Sequence, residues 1–499
     1  MIQTIETASV TGLDVHPVRV EVSITRGTPM IQIVGLAQSA VHEGRERIRA
    51  AAAQLGLHVP GLRITVNLAP ADRPKHGSGF DLPIVLGILA AAGELPSERL
   101  AGTLVAGELG LDGTVRPVRG VLPVALHAAR TPAIRRLIVP HENLREAAAG
   151  GVAALGARSL GEVVSYLKGG RLSSAADLPA HPESAGGRAG ADLSSVLGQS
   201  AAKRALEIAA AGGHNLLFIG APGSGKTSLA RCLPGLLAPL ATGEAVEVTA
   251  VHSVAGLLPA DAGLVRERPF RAPHHTISEA GLIGGGGIPR PGEASLAHAG
   301  VLFLDELPEF GRRPLEALRQ PMEDGRVHLV RARASASFPA RFALVAAMNP
   351  CPCGYYGVPE RRCGCGDGAI RSYRRRVSGP LLDRIDLRVE VPPLTWGELW
   401  GRTAAGEPSA VVADRVREAA GRAARRRAAD GLEGVARLDD AGRALLRAAV
   451  ERLGLSARGV TRTLRIARTI ADLAGSEGVA EEHLAEAIRY RGAELSASL

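Results

Sequence analysis

Apolar and polar residues alternate with period two in "VRVEVSI" (18–24), "IQIVGL" (31–36) and "RITVNLA" (63–69), the pattern of strands with one buried face. Helical runs, "AVHEGRERIRAAAAQLG" (40–56) and "DLPIVLGILAAAGEL" (81–95), separate and follow them. Together they predict a mixed α/β domain over residues 1–168. Residues 169–191, "GGRLSSAADLPAHPESAGGRAGA", are rich in Gly, Ser, Ala and Pro and carry no period, so they predict a flexible linker. From 192 to 393, apolar runs such as "NLLFIG", "VLFLDELPEF" and "RFALVAAMN" again alternate with helical segments. Residues 394–499 are helical in pattern and dense in Ala, Arg and Leu, a small helical lid. No internal repeat interrupts this order.

A chain of 499 residues is too long for one ordinary core, which agrees with several domains. Aromatic residues make up 3% of it, so aliphatic side chains and alanine must fill the interiors. The net charge is +9, which favours a polyanionic partner. Only Lys75, Lys168, Lys203 and Lys226 are lysines, so nearly all the positive charge is arginine, the better phosphate fork. The start "IQTIETASVTGLDV" lacks the features of a signal peptide, and "LPIVLGILAAAG" is too short to cross a bilayer. The expectation is a cytoplasmic protein with no membrane partner.

One segment, "NLLFIGAPGSGKTSLARCL", places G-x-x-x-x-G-K-T at 220–227 after an apolar strand and before a helix, the context a phosphate-binding loop requires. Gly220, Gly223, Ser224, Gly225, Lys226, Thr227 and Ser228 are the candidate ATP-binding residues, with Lys226 for the β and γ phosphates and Thr227 for Mg²⁺. The strand "VLFLDELPEF" ends in Asp305, a candidate for the Mg²⁺ shell, and Glu306, a candidate to polarise the attacking water. The strand "RFALVAAMN" ends in Asn349, placed to orient that water. Arg384, between Asp383 and Asp386, reads either as an arginine finger completing a neighbouring subunit's site or as a buried salt bridge. Arg458, Arg462, Arg465 and Arg468 recur at three- and four-residue spacing. One of them is expected to reach the γ phosphate and the rest to form a solvated face.

Four of the five cysteines, Cys351, Cys353, Cys363 and Cys365, fall in one Gly- and Pro-rich loop. Two thiol pairs at such spacing suit a tetrahedral structural Zn²⁺, with free thiols or a redox switch as alternatives. Cys232, in the P-loop helix, is expected to be core. His274 and His275 have no carboxylate or thiol at ligand spacing and read as loop packing or a DNA-facing pair. The run "EDGRVHLVRARASASFPARF" predicts a β-hairpin with His328, Arg331 and Arg333 near its tip, either contacting DNA or simply solvated. "PHHTISEAGLIGGGGIPRPGE" predicts a mobile loop. Residues 361–388 hold eight arginines against three aspartates, which suits contact with a phosphate backbone without base stacking.

Taken together, these segments, with "RPFRAPHHTISEAGLIGGGGIPRPGEASLAHAGVLFLDELPEF", "QPMEDGRVHLVRA", "AAMNPCPCGYYG" and "SGPLLDRIDLRVEV", resemble the AAA+ ATPases, specifically the magnesium-chelatase-like branch known as the ComM or YifB family. The resemblance covers essentially the whole chain. It implies a P-loop AAA+ module with a C-terminal helical lid, Asn349 as sensor 1, Arg384 as a finger in trans and Arg458 as sensor 2. It further implies a homohexameric ATP-driven motor that migrates DNA branches during natural transformation, acting on branched or single-stranded DNA without sequence preference, with a recombinase as a candidate partner. Residues 1–168 resemble the α+β proteolytic domain of the Lon protease, of the ribosomal protein S5 domain 2-like fold. The Lon lysine is missing from "VRGVLPVALHA", and "GSGFDLP" puts Phe80 and Asp81 near the place of its serine. Only Lys75 and Ser78 remain as a possible pair, so a domain without protease activity is expected. A magnesium chelatase motor and a remodeller of protein clients are the rival functions.

Overall fold

The computed structural model describes residues 2–36, 39–72, 75, 77, 79–179, 190–331, 334–358, 361–400, 406–430 and 438–491. The first sheet contains β1 (Ile2–Thr11), β2 (Asp14–Thr25), β3 (Met30–Val34), β4 (Arg63–Ala69) and β5 (Thr103–Val105). After a small hairpin, β6 (Glu108–Leu109) and β7 (Val115–Arg116), it is completed by β8 (Arg136–Pro140), β9 (Ala153–Ala157) and β10 (Ser173–Ser174). The order is β10-β9-β8-β5-β1-β2-β4-β3. Val18, Val20 and Val22 of β2 point into the core and Ile64, Val66 and Leu68 of β4 join them, as the alternating pattern dictates. The helix Asp81–Ala91 lies against β1 and β2 and is buried from Asp81 to Ala90. Each of its aliphatic side chains contributes roughly 1.5–3 kcal/mol by leaving water.

At the start of that helix the buried Asp81 carboxylate takes two hydrogen bonds from Arg47, at 2.7 and 3.1 Å, and one from the Leu109 N–H at 3.3 Å. Burial holds the Asp81 carboxyl above its ordinary range, against the pull of Arg47. Asp81 is thus a structural ion pair near the place where the Lon-like reading puts a nucleophile. The segment read as linker starts in order: Ser173–Ser174 pairs antiparallel with Leu155 and Gly156. Composition suggested a loop, but a free sheet edge accepted the strand. The stretch 180–189 lies outside the described residues.

The second sheet is all parallel, with β11 (Leu216–Ile219), β12 (Phe270–Arg271), β15 (Val301–Leu304), β18 (Ala343–Met348) and β19 (Leu387–Glu390) in the order β12-β15-β18-β11-β19. Its central strands β11, β15 and β18 are buried on both faces, which is why they read as continuous apolar runs. Leu216 and Phe218 belong to one core with Val412, Val416, Ile466 and Ile470 of the C-terminal helices. Leu217 and Ile219 belong to the core on the opposite face, with Leu302, Leu304 and Leu344. Two hairpins project from this unit: β13 (Gly284–Gly285) with β14 (Arg290–Pro291), and β16 (Arg326–Arg331) with β17 (Ala334–Pro339).

The glycine run therefore forms a hairpin where a structureless loop was expected. A Cβ at Gly284 would stand 2.5 Å from the Arg290 carbonyl oxygen, and φ there is +115°, so close backbone approach requires glycine. The C-terminal unit comprises helices Ser409–Asp430, Asp440–Leu453, Ala457–Leu473 and Glu481–Arg489, the first packing on the P-loop helix Lys226–Leu236.

Candidate nucleotide site and cysteine knuckle

Gly220, Asp305 and Asn349 each follow the last residue of a central strand, so the carboxyl edge of the parallel sheet gathers the candidate groups into one crevice. Gly223 and Gly225 adopt φ of +77° and +92°, which lets the loop wrap before the helix starts at Lys226. The Lys226 ammonium donates to the carbonyls of Gly220 (2.7 Å) and Ala221 (2.8 Å) and to Asn349 Oδ1 (3.2 Å). Burial lowers its pKa, with Asp305 and Glu306 opposing. The Ser224 hydroxyl is buried with no hydrogen-bond partner among the described residues, an orphan that a phosphate oxygen would satisfy. The Ser228 side chain is exposed, and its carbonyl accepts from the Cys232 thiol at 3.3 Å. Cys232 is core, as expected, and burial pushes its pKa up to about 11.

The Thr227 hydroxyl donates to Asp305 Oδ2 at 2.8 Å. A hydroxyl and a carboxylate at this distance form the hard oxygen donor set that suits Mg²⁺. Asp305 Oδ1 accepts the Glu306 N–H at 2.9 Å, and Glu306 holds a left-handed backbone, φ +53°, a conformation that costs a non-glycine residue about 1–3 kcal/mol and tends to persist where surroundings enforce it. Its side chain is about half exposed and lies 3.4 Å from His275 Nδ1. Sequence reasoning took His275 for loop packing or a DNA-facing residue and missed its contact with Glu306. Its signal was the parallel register, in which Phe270 faces Val301 and Arg271 faces Leu302: the same offset carried past the strand ends sets His275 against Glu306. Phe310 meets the His275 ring edge-on at 6.4 Å between centroids, and the His274 ring lies tilted against that of His275 at 4.1 Å.

The arginines divide sharply. Arg384 is buried, pairs with Glu323 and donates to the Pro380 carbonyl at 2.7 Å. Its partner is therefore neither adjacent aspartate. Asp386 instead takes Arg462 at 2.9 Å. Arg458, one turn earlier, is exposed with no ion pair among the described residues. Arg468 departs from the solvated-face expectation: it is buried, donating to the carbonyls of Ser476 and Glu477 and to Asp472.

Cys351, Cys353, Cys363 and Cys365 bring their sulfurs within 4.8 Å of one another, with three separations of 3.3, 3.7 and 3.6 Å. A tetrahedron with metal–sulfur bonds of about 2.3 Å has sulfur separations of about 3.8 Å, so the four thiols fit one ion. N–H groups of Tyr355 and Gly364 hold the Cys353 thiol down to about 6. The knuckle is braced by Arg361 over the Tyr355 ring and Arg374 over the Tyr356 ring.

His328 and Arg331 are exposed on β16, and Arg331 lies close to Gly285 of the glycine hairpin. Arg333 lies outside the described residues, as does Ser78. Lys75 is fully buried and donates to the Pro70 carbonyl. Val121 and Leu122 are buried, and a cavity of about 540 Å³ beside Phe80 and Gly120 is walled on its other side by Ile288–Pro291 of the glycine hairpin. Ser253, on the helix after the P-loop helix, accepts the Gly120 N–H at 3.0 Å and donates to the buried Glu146, fastening the two α/β units together.

Family models described as magnesium chelatase, subunit ChlI, match residues 192–399, as subunit ChlI of Mg-chelatase residues 20–143, and as the ChlI C-terminal region residues 406–491. The chain is 46% identical to a protein of Mycobacterium tuberculosis over 97% of each chain. It is 42% identical to YifB of Escherichia coli over 98% of this chain and 96% of that one. It is 44% identical to the competence protein ComM of Haemophilus influenzae over 96% and 95%.

Proposed function

Since the chain belongs to the ComM/YifB family of magnesium-chelatase-like AAA+ ATPases, we propose that it is a DNA motor, hydrolysing ATP to drive branch migration of recombination intermediates in natural transformation. The observation that carries the ATPase half is the convergence of Lys226, the Thr227–Asp305 pair, Glu306 and Asn349 at one sheet edge. In this reading the Lys226 ammonium exchanges loop carbonyls for β and γ phosphate oxygens, and its link to Asn349 reports that exchange to the sensor strand. Thr227 and Asp305 are the residues that would hold Mg²⁺, which would supply neutralisation of phosphate charge. Glu306 accepts the proton of the attacking water. Arg458, which has no ion pair among the described residues, swings in with the lid as sensor 2. Arg384 leaves Glu323 for the neighbouring subunit's γ phosphate as the ring assembles, which makes the finger conditional on a homohexamer.

The competence protein among the relatives supports the DNA half, as do the exposed arginines of residues 361–376. His328, Arg331 and Arg333 are the proposed hairpin contacts. Zinc is the proposed occupant of the cysteine knuckle. The test is ATP turnover of purified protein with and without single-stranded or branched DNA. Stimulation by DNA that vanishes in Lys226→Ala supports the reading; turnover indifferent to DNA, with no DNA binding, sinks it. The description of the family models favours a second reading, a chelatase motor, which predicts instead a response to a porphyrin-metallating partner.

A further inference from the structure

The helix Asp367–Arg374, directly after the knuckle, has two faces. Ile370, Tyr373 and Val377 are buried, while Gly368, Arg371, Ser372 and Arg375 are exposed at the complementary spacing. With Phe310, Arg312 and Arg376, the exposed residues line an open groove of about 420 Å³. Arg371 and Arg375 have no carboxylate within ion-pair distance among the described residues. The acids nearby are engaged: Glu309 holds Arg376 at 2.8 Å, Glu316 holds Arg319 at 2.8 Å beside Arg312, and Asp367 sits in the helix's first turn. Gly368 and Ser372, the small residues on the same exposed face, leave room for a phosphodiester to approach. Such an array has unspent charge, and the one aromatic ring that lines it, Phe310, is buried, the chemistry of backbone contact rather than base reading.

We infer that this groove carries the sugar–phosphate backbone of one DNA strand, an inference that rests on the DNA-motor reading above and locates its contact. The groove is also wired to the ATP site. The buried face of the helix places Tyr373 in the same core as Met348, the residue before Asn349. Arg376 grips Glu309, three residues beyond Glu306. At the same end of the helix, the Arg374 Nε–H donates to the Pro350 carbonyl, next to Cys351 of the knuckle, at 3.3 Å. A strand seated on Arg371 and Arg375 thus bears on the sensor and on the strand end that holds the hydrolytic carboxylate.

The experiment is fluorescence anisotropy of a labelled oligothymidylate on the full-length protein with a non-hydrolysable ATP analogue, across a salt series. The Arg371→Ala/Arg375→Ala double variant is expected to bind at least about tenfold more weakly, with a salt slope shallower by about 1.4, two single-strand phosphates' worth. Arg371→Lys/Arg375→Lys is expected to recover the slope, which separates lost charge from lost folding. Wild-type affinity and slope in the alanine variant overturn the groove while leaving the motor reading standing. Unaltered DNA binding with ATP turnover that no longer rises with subunit assembly assigns these arginines to a neighbour's nucleotide phosphates, and also overturns it. Failure of the wild type to bind DNA removes both readings together.

Discussion

Lys75 and Lys226 are both buried, and burial lowers the pKa of each. Lys75 meets the Pro70 carbonyl, with Asp72 as the charge that acts on it. Lys226 meets two loop carbonyls and Asn349, with Asp305 and Glu306 as its charges. A desolvated ammonium is therefore common to both α/β units, but among the described residues only the second brings two carboxylates and Asn349 to it. The lesson is that a perturbed lysine marks a site when other strands deliver partners to it. At the first unit's corresponding edge, apolar Val121 and Leu122 and the paired Asp81 stand where a protease would need polar chemistry.

The largest effects should fall on the second unit. Glu306→Gln or Lys226→Ala should cut ATP turnover by about 10²–10⁴, the usual contribution of positioned proton-transfer and phosphate-binding groups, whereas Lys75→Met should leave turnover within about twofold. Steady-state phosphate release decides it, and equal losses at both lysines would break the comparison. In the first unit the sensitive element is structural: Arg47→Ala strands the Asp81 carboxylate and should cost about 3 kcal/mol in urea unfolding. A loss under 1 kcal/mol would mean that Asp81 is not held as described.

Metal content comes next. The chain should purify with stoichiometric zinc by elemental analysis, and Cys363→Ser should lose it and weaken DNA-stimulated turnover more than basal turnover. Retained zinc, or none in the wild type, contradicts the knuckle. The smallest effect is expected at the neighbour of Glu306, the proposed hydrolytic carboxylate. His275→Ala should lower kcat about tenfold with little change in KM, because it positions Glu306 without touching nucleotide. A change in KM alone would place His275 in binding instead.

What was legible in the sequence was local along the chain. Gly220–Thr227 and Asp305–Glu306 are contiguous, so their spacing announces the chemistry. The four cysteines crowd one short segment for the same reason. His275 and Glu306 meet only through the β12–β15 register, and Arg384 meets Glu323 only through tertiary packing, so neighbours in sequence misdirected both. Glycine composition suggested mobility at 284–287, yet Gly284 is there because a hairpin strand passes too close for a side chain. The edge strand Ser173–Ser174 has no hydrophobic signature at all; it exists because β9 offers unpaired backbone groups.

The most direct test of the account is ATP-dependent branch migration on a synthetic three-strand junction, wild type against Glu306→Gln. The account predicts product from the wild type with ATP and none from the variant, although the variant still binds the junction. Wild-type protein that hydrolyses ATP on the junction without moving the branch would contradict it.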